Sequence, residues 1–181
     1  IEKFIKNSSD CTLLAALAQV ESQGNPLAAP TWRVQLSSDI AEVYAPASSA
    51  FGIMQITKGT FDLILKTCGK SGEPCPNQDL ATRMRARDSV TMISGFLLRS
   101  MEDILTTTGV QKASEDKLTK LASVIHLCGP EVGRRLVRNG FNVNSLSRCG
   151  SHWPAVYSHQ VADMKSVFAL IQAKEQLVSN D

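Results

Sequence analysis

Between Ala86 and Leu105 the apolar residues return at every third or fourth position: Ala86, Val90, Ile93, Leu97, Met101 and Ile104, widened by Leu98 and Leu105. That period is one face of an α-helix, and a stripe so broad must be covered by other elements. The stretch is expected to be a buried central helix preceded by a basic turn. Other segments repeat the pattern. Asp10 is a candidate cap for a helix running to about Gln23, with Leu13, Leu14, Leu17 and Val20 on its apolar positions, Gly24 as its stop and Pro26 beyond. Thr57 to Thr67 reads as a second short helix ended by Gly69. Ser114 can cap a helix with Leu118, Leu121, Val124 and Ile125 inside, halted by Gly129-Pro130; Glu131 to Asn139 follows as a short helix ended by Gly140. Pro154 can start a last helix carrying Val161, Met164, Val167, Phe168 and Ile171. The exception is Leu27 to Phe51, with Pro30, Pro46 and alternating Val34, Leu36, Ile40 and Val43. It reads as a long loop, with a short helix or a small β-ribbon in it, and loops of that length in compact domains are usually functional. The expected fold class is mainly α, in one domain over residues 1–181.

The composition agrees with a folded chain: 43% of the 181 residues are hydrophobic and 20% are charged. A net charge of +2 is too weak to argue for a nucleic-acid partner. Arginines do gather, as Arg83, Arg85, Arg87 and Arg99 and again as Arg134, Arg135, Arg138 and Arg148. Such clusters are compatible with a polyanionic substrate, but most are simply solvated helix faces. No stretch is long and apolar enough to span a bilayer as a helix. The first residue is Ile1 rather than Met, so a removed leader or larger parent chain is expected. Five cysteines, Cys11, Cys68, Cys75, Cys128 and Cys149, point to an oxidising compartment and hence to a periplasmic or secreted protein. Cys68 with Cys75, and Cys128 with Cys149, could each meet, which would leave Cys11 over; sequence alone does not fix the connectivity. His126, His152 and His159 lack ligand spacing around the cysteines, so no metal is expected.

The chemistry-bearing candidate is Glu21. It follows Leu17 by four residues and Leu13 by eight, which puts it on their helix face. Its helical neighbours Leu17, Ala18, Gly24 and Asn25 carry no charge. Desolvation and the negative end of the helix dipole both disfavour the anion, so this carboxyl is expected to hold its proton near neutral pH, as a general acid must. The bland alternative is a side chain that turns to solvent at a frayed helix end.

The run Leu14 to Pro26, with Glu21-Ser22 followed by Gly24-Asn25-Pro26, resembles the first motif of the lytic transglycosylases that share the soluble lytic transglycosylase (SLT) domain. Ser48 to Thr57, containing Gly52-Ile53-Met54-Gln55, looks like that family's Gly-Leu-Met-Gln motif with Ile53 for Leu. Motif order and helix pattern agree from about Asp10 to about Phe168. The resemblance implies a lysozyme-like α-helical fold, with Glu21 as catalytic acid, Ser22 beside the sugar, and Gly52, Met54 and Gln55 as a cleft wall. Gly52 would let the glycan approach the backbone, and Gln55 would offer a donor and an acceptor to an N-acetyl group. Ile53 and Met54 could equally be ordinary core. The family's Ala-Tyr-Asn-Ala-Gly motif is eroded here to Ile125-His126-Leu127-Cys128-Gly129, which puts His126 at the tyrosine position as a substrate-binding candidate. A protonated His126 would oppose a protonated Glu21, and a structural histidine is the alternative. Tyr157 is the candidate for the tyrosine that opens the family's last helix.

The resemblance implies cleavage of the β-1,4 bond between N-acetylmuramic acid and N-acetylglucosamine in peptidoglycan, with glycan strands as the partner and no cofactor. Glu21 would protonate the glycosidic oxygen, the substrate's 2-acetamido group would stabilise the developing cation, and Glu21 would then take the proton from the muramic C6 hydroxyl, leaving a 1,6-anhydro end. A muramidase on the same fold would need Asp39, Glu42 or Asp62 as a second carboxylate. A non-catalytic peptidoglycan-binding module of a secretion or conjugation machine is the other alternative. The long Leu27 to Phe51 segment adds Trp32 and Tyr44, either of which could stack on a sugar or pin the loop.

Overall fold

The computed structural model describes residues 10–29, 32–34, 44–46, 49–68 and 80–178. The protein is mainly helical. In chain order the elements are α1 (Asp10–Ser22), β1 (Trp32–Val34), β2 (Tyr44–Pro46), α2 (Lys58–Thr67), α3 (Leu80–Met84), α4 (Ala86–Thr107), α5 (Glu115–Cys128), α6 (Pro130–Arg138), a 3-10 turn (Val143–Ser145) and α7 (Pro154–Val178). The Leu27 to Phe51 stretch does hold a small antiparallel ribbon, with Trp32 opposite Pro46, Arg33 opposite Ala45 and Val34 opposite Tyr44. The chain divides into two compact units, residues 1–20 with 93–181, and residues 21–92, so the boundaries fall inside α1 and α4. Among the described residues, no helix is long and apolar enough to cross a membrane.

The larger unit is built on α5. Ser114 caps it by accepting the Lys117 amide, and Gly129, at φ +85°, ends it and hands over to Pro130 at the start of α6. Leu121, Val124 and Ile125 on its inner face are fully buried. Helices α6 and α7 both pack against it. The α6 contact is close because Gly133 has no side chain: a Cβ there would lie 2.7 Å from Ile125 Cγ1 and 3.2 Å from Ile104 Cδ1. On the α7 side, buried Lys165 donates to Glu115 Oε1 at 2.7 Å and to Thr119 Oγ1 at 3.2 Å. A disulfide between Cys128 and Cys149 joins the end of α5 to the strand-like turn before α7. The two thiols that could meet on sequence grounds are thus bonded. Cys68 is disulfide-bonded as well, Cys75 lies outside the described residues, and Cys11 is free and exposed.

Three helix expectations need correction. In α7 only the first half is core: Val161 is fully buried, but Val167 is 43% and Ile171 47% exposed, because the helix runs on past the elements that cover its start. In α4 the buried face includes Met92 and Phe96, whereas Val90 and Leu98 are half-buried. Asp10 is itself helical rather than a residue preceding the helix.

In the smaller unit, Thr57 caps α2 through the Thr60 amide, and α2 turns Phe61 and Ile64 inward. Ile56 and Met54 are almost completely buried.

Candidate active site

Helix α1 stops because Gln23 (φ +55°) and Gly24 (φ +76°) both turn left-handed. Asn25 then builds the exit. Its amide donates to the Ser22 carbonyl at 3.0 Å, its side-chain Oδ1 accepts the Leu27 amide at 2.9 Å, and its carbonyl accepts the Ala28 amide at 3.2 Å. This compact turn delivers the Ala28 carbonyl to the second motif, where it accepts the Gly52 amide at 2.9 Å and the Gln55 Nε2 at 3.3 Å.

The second motif is a tight hairpin. Phe51 and Ile56 exchange backbone hydrogen bonds, and the Gln55 amide donates to the Gly52 carbonyl at 3.0 Å. Gln55 sits at φ +44°, and its Nε2 also donates to the Gly52 carbonyl at 2.9 Å. A third link returns to α1: the Ser22 hydroxyl donates to the Ile53 carbonyl at 2.8 Å. The Gly52–Gln55 turn is therefore tied to the last turn of α1, where Glu21 is half-buried, by one hydrogen bond from Ser22, and to the exit turn that follows by two more at Ala28. Neither Glu21 nor Ser22 stands free of further interactions.

Each expected site residue has a definite place. Met54 is fully buried, which makes its side chain part of the core. Gly52 is buried at φ +77°, and a Cβ on it would point at the Arg83 carbonyl oxygen, only 2.1 Å away. The glycine is required by that close backbone approach, not by open space for a ligand. Gln55 spends its amide donors on the turn, and its Oε1 meets no donor among the described residues. These residues and Glu21 and Ser22 all belong to the 21–92 unit. His126, half-buried in the last turn of α5, and Tyr157, 5% exposed in the first turn of α7, belong to the other unit, and both are engaged in interactions. Asp62, a candidate second carboxylate, is exposed and paired with Lys58 at 2.7 Å. Asp39 and Glu42 lie outside the described residues, as do the side chains of Trp32 and Tyr44.

Sequence reasoning missed Arg83, which it grouped with a solvated basic cluster. From α3 its Nη1 donates to the Ser49 carbonyl at 3.1 Å and to the Ile56 carbonyl at 3.2 Å, on the two sides of the hairpin. Its guanidinium lies over the Phe51 and Phe61 rings at 5.2 and 5.5 Å. Burial pulls its pKa below the ordinary arginine value, and the nearby Asp62 carboxylate works against that shift. No local pattern signals this role, since the two carbonyls are 34 and 27 residues away in the chain. Among the described residues no group of three or more His, Cys, Asp or Glu side chains could hold a metal ion.

Residues 1–87 match the model of the transglycosylase SLT domain. The matched stretch contains Glu21, Ser22, the Gly52–Gln55 turn and Arg83. No curated protein and no solved structure is significantly similar to the chain.

Proposed function

We propose, taking residues 1–87 as a transglycosylase SLT domain, that the protein is a lytic transglycosylase in which Glu21 is the single acid and base. A lytic transglycosylase-type function acting on peptidoglycan is supported by the family match in general terms. The observation that carries the specific reading is the bond from the Ser22 hydroxyl to the Ile53 carbonyl at 2.8 Å, which fixes the helix turn bearing Glu21 against the second motif. A proton-transfer group must be held at a defined place beside its substrate, and a carboxyl next to a cross-linked helix end meets that requirement.

In this reading Glu21 protonates the oxygen of the β-1,4 bond between N-acetylmuramic acid and N-acetylglucosamine. The muramic 2-acetamido group supports the cation at C1 as the bond breaks. Glu21, now a carboxylate, removes the proton from the C6 hydroxyl, whose oxygen closes on C1 to give the 1,6-anhydro sugar. Gln55 Oε1 is suited to accept a hydrogen bond from an acetamido N–H. His126 and Tyr157 remain proposed substrate contacts, as does a single catalytic domain embracing both units. The Cys128–Cys149 disulfide fits an exported protein working on the cell wall, in the periplasm or outside the cell.

The test is mass spectrometry of muropeptides released from purified sacculi in water enriched in heavy oxygen. Wild type should release anhydro-ended fragments without label, and Glu21→Gln should lower the rate by about a hundredfold to ten-thousandfold. Labelled reducing ends would instead mark a hydrolase. If both proteins bind sacculi and neither releases fragments, the enzyme reading fails in favour of a binding or assembly module.

A further inference from the structure

We propose that Arg83 is a positioning residue that holds the Gly52–Gln55 turn in the register against which the end of α1 is cross-linked. The inference rests on the reading above and adds to it a residue that no motif contains.

Arg83 grips the turn by both of its ends. Its side chain crosses the hairpin, with Nη1 donating to Ser49 and Ile56 carbonyls that lie on opposite sides of it. The guanidinium plane lies over two phenyl rings, Phe51 in the hairpin and Phe61 in α2, both within the range of cation–π attraction. Its main-chain carbonyl seats against Gly52 so closely that no side chain would fit there, and the Ser89 hydroxyl donates to that carbonyl at 3.0 Å, fixing it from the other side. The turn is therefore held from below at Ser49, Phe51, Gly52 and Ile56. What it presents from there is the Ile53 carbonyl, the acceptor for Ser22, one residue from Glu21. A shift of the hairpin would be passed to the acid through that bond.

The chemistry selects arginine. One nitrogen, Nη1, donates to both carbonyls while the guanidinium carbon lies over two aromatic rings. Lysine's ammonium keeps the charge and can reach a carbonyl, but it lacks the extended, delocalised cation that meets two rings at once. A buried Nε without a hydrogen-bond partner among the described residues and a pKa depressed by burial are costs the protein tolerates here, which is expected of a group kept for geometry.

The experiment compares wild type with Arg83→Gln, Arg83→Lys and, as a control, Arg87→Gln, whose side chain is exposed on α4. It reads two quantities on the intact chain well below its melting temperature: hydrogen exchange at the Gly52, Gln55 and Ile56 amides, which are the bonded amides of the turn, and kcat and KM on soluble peptidoglycan fragments. Arg83→Gln should speed exchange at all three amides and lower kcat by up to about a hundredfold with KM changed by less than about threefold. Arg83→Lys should recover melting temperature more than kcat, and Arg87→Gln should resemble wild type. Unchanged exchange in Arg83→Gln overturns the proposal, as does faster exchange with an unchanged kcat. If wild type has no activity but the exchange result holds, the anchoring of the turn stands and the lytic transglycosylase reading is what falls.

Discussion

Replacing Gly52 by alanine should be among the most damaging single-methyl changes in the 21–92 unit. Two costs add. The residue sits at φ +77°, in the left-handed region, where an L side chain costs about 1–2 kcal/mol. The new Cβ would also start 2.1 Å from the Arg83 carbonyl oxygen, with the Arg83 carbonyl carbon at 3.1 Å and Met84 Cα at 3.3 Å, so the obstacle is backbone rather than a side chain that can swing away. Real Cβ atoms essentially never approach closer than 3.0 Å, so helix and turn must part by most of an ångström. Overpacking of this kind typically costs about 1–3 kcal/mol, which brings the total to about 2–5 kcal/mol. In a chain of this size that corresponds to a melting temperature lower by roughly 4–20 °C. Gly109 supplies the control. It has nearly the same backbone, φ +73°, but a Cβ there meets nothing within 4 Å. Gly109→Ala should therefore show only the conformational cost of about 1–2 kcal/mol. Urea unfolding followed by far-ultraviolet circular dichroism measures both. Equal destabilisation of the two variants, within about 0.5 kcal/mol, would refute the claim that the Arg83 backbone is what demands glycine at position 52.

Three further outcomes follow from the same structure. Ser22→Ala removes the donor to the part-buried Ile53 carbonyl at 2.8 Å; it should cost about 1 kcal/mol and lower kcat, and unchanged stability would show that the cross-link contributes nothing. Changing both Cys128 and Cys149 to serine frees a loop of 21 residues and should cost about 3 kcal/mol in thermal unfolding, with a loss below about 1 kcal/mol counting against an entropic role for the bridge. Val161→Ala, at a fully buried site on α7, should destabilise by about 1–2 kcal/mol, whereas Leu177→Ala, at a side chain 73% exposed, should stay within about 0.5 kcal/mol; the reverse order would mean that the distal half of α7 is core.

The helices were the most readable part of the chain because their signals are local. Ser114 and Gly129-Pro130 act within one turn of where they stand, and each appears in the structure as the cap or stop that its chemistry suggests, whereas Thr57, read as the first helical residue, is the cap of α2. Periodicity was a weaker guide to depth. The apolar positions of α7 continue in register from Val161 to Ile171, yet burial ends partway, because exposure depends on what lies across from the helix and no residue within the helix reports that. The β-ribbon was readable only as an option, since alternation within Leu27 to Phe51 also fits an irregular loop. For the site, sequence located the two motifs but not their relation. The Ser22 to Ile53 bond spans 31 residues and the Arg83 bonds span 27 and 34, distances at which residue spacing carries no information.

That gap alters what the motifs mean. Read as sequence, Ser22, Gly52 and Gln55 are residues set out for a sugar. In the structure the Ser22 hydroxyl donates to Ile53, the Gln55 amide donates to Ala28 and Gly52, and Gly52 is small because a carbonyl lies against it. A polar group that has already satisfied its donors within the protein cannot offer the same hydrogens to a ligand without breaking a bond of similar strength. The pattern is therefore the specification of a joint, in which a helix end and its exit turn are locked to a hairpin. On the proposed reading of Glu21 as the acid, loss of activity in Ser22 or Gly52 variants is expected to appear in kcat together with stability, because the helix turn that carries Glu21 is displaced. A rise in KM alone, with kcat and unfolding unchanged, would restore these residues to the role of direct sugar contacts.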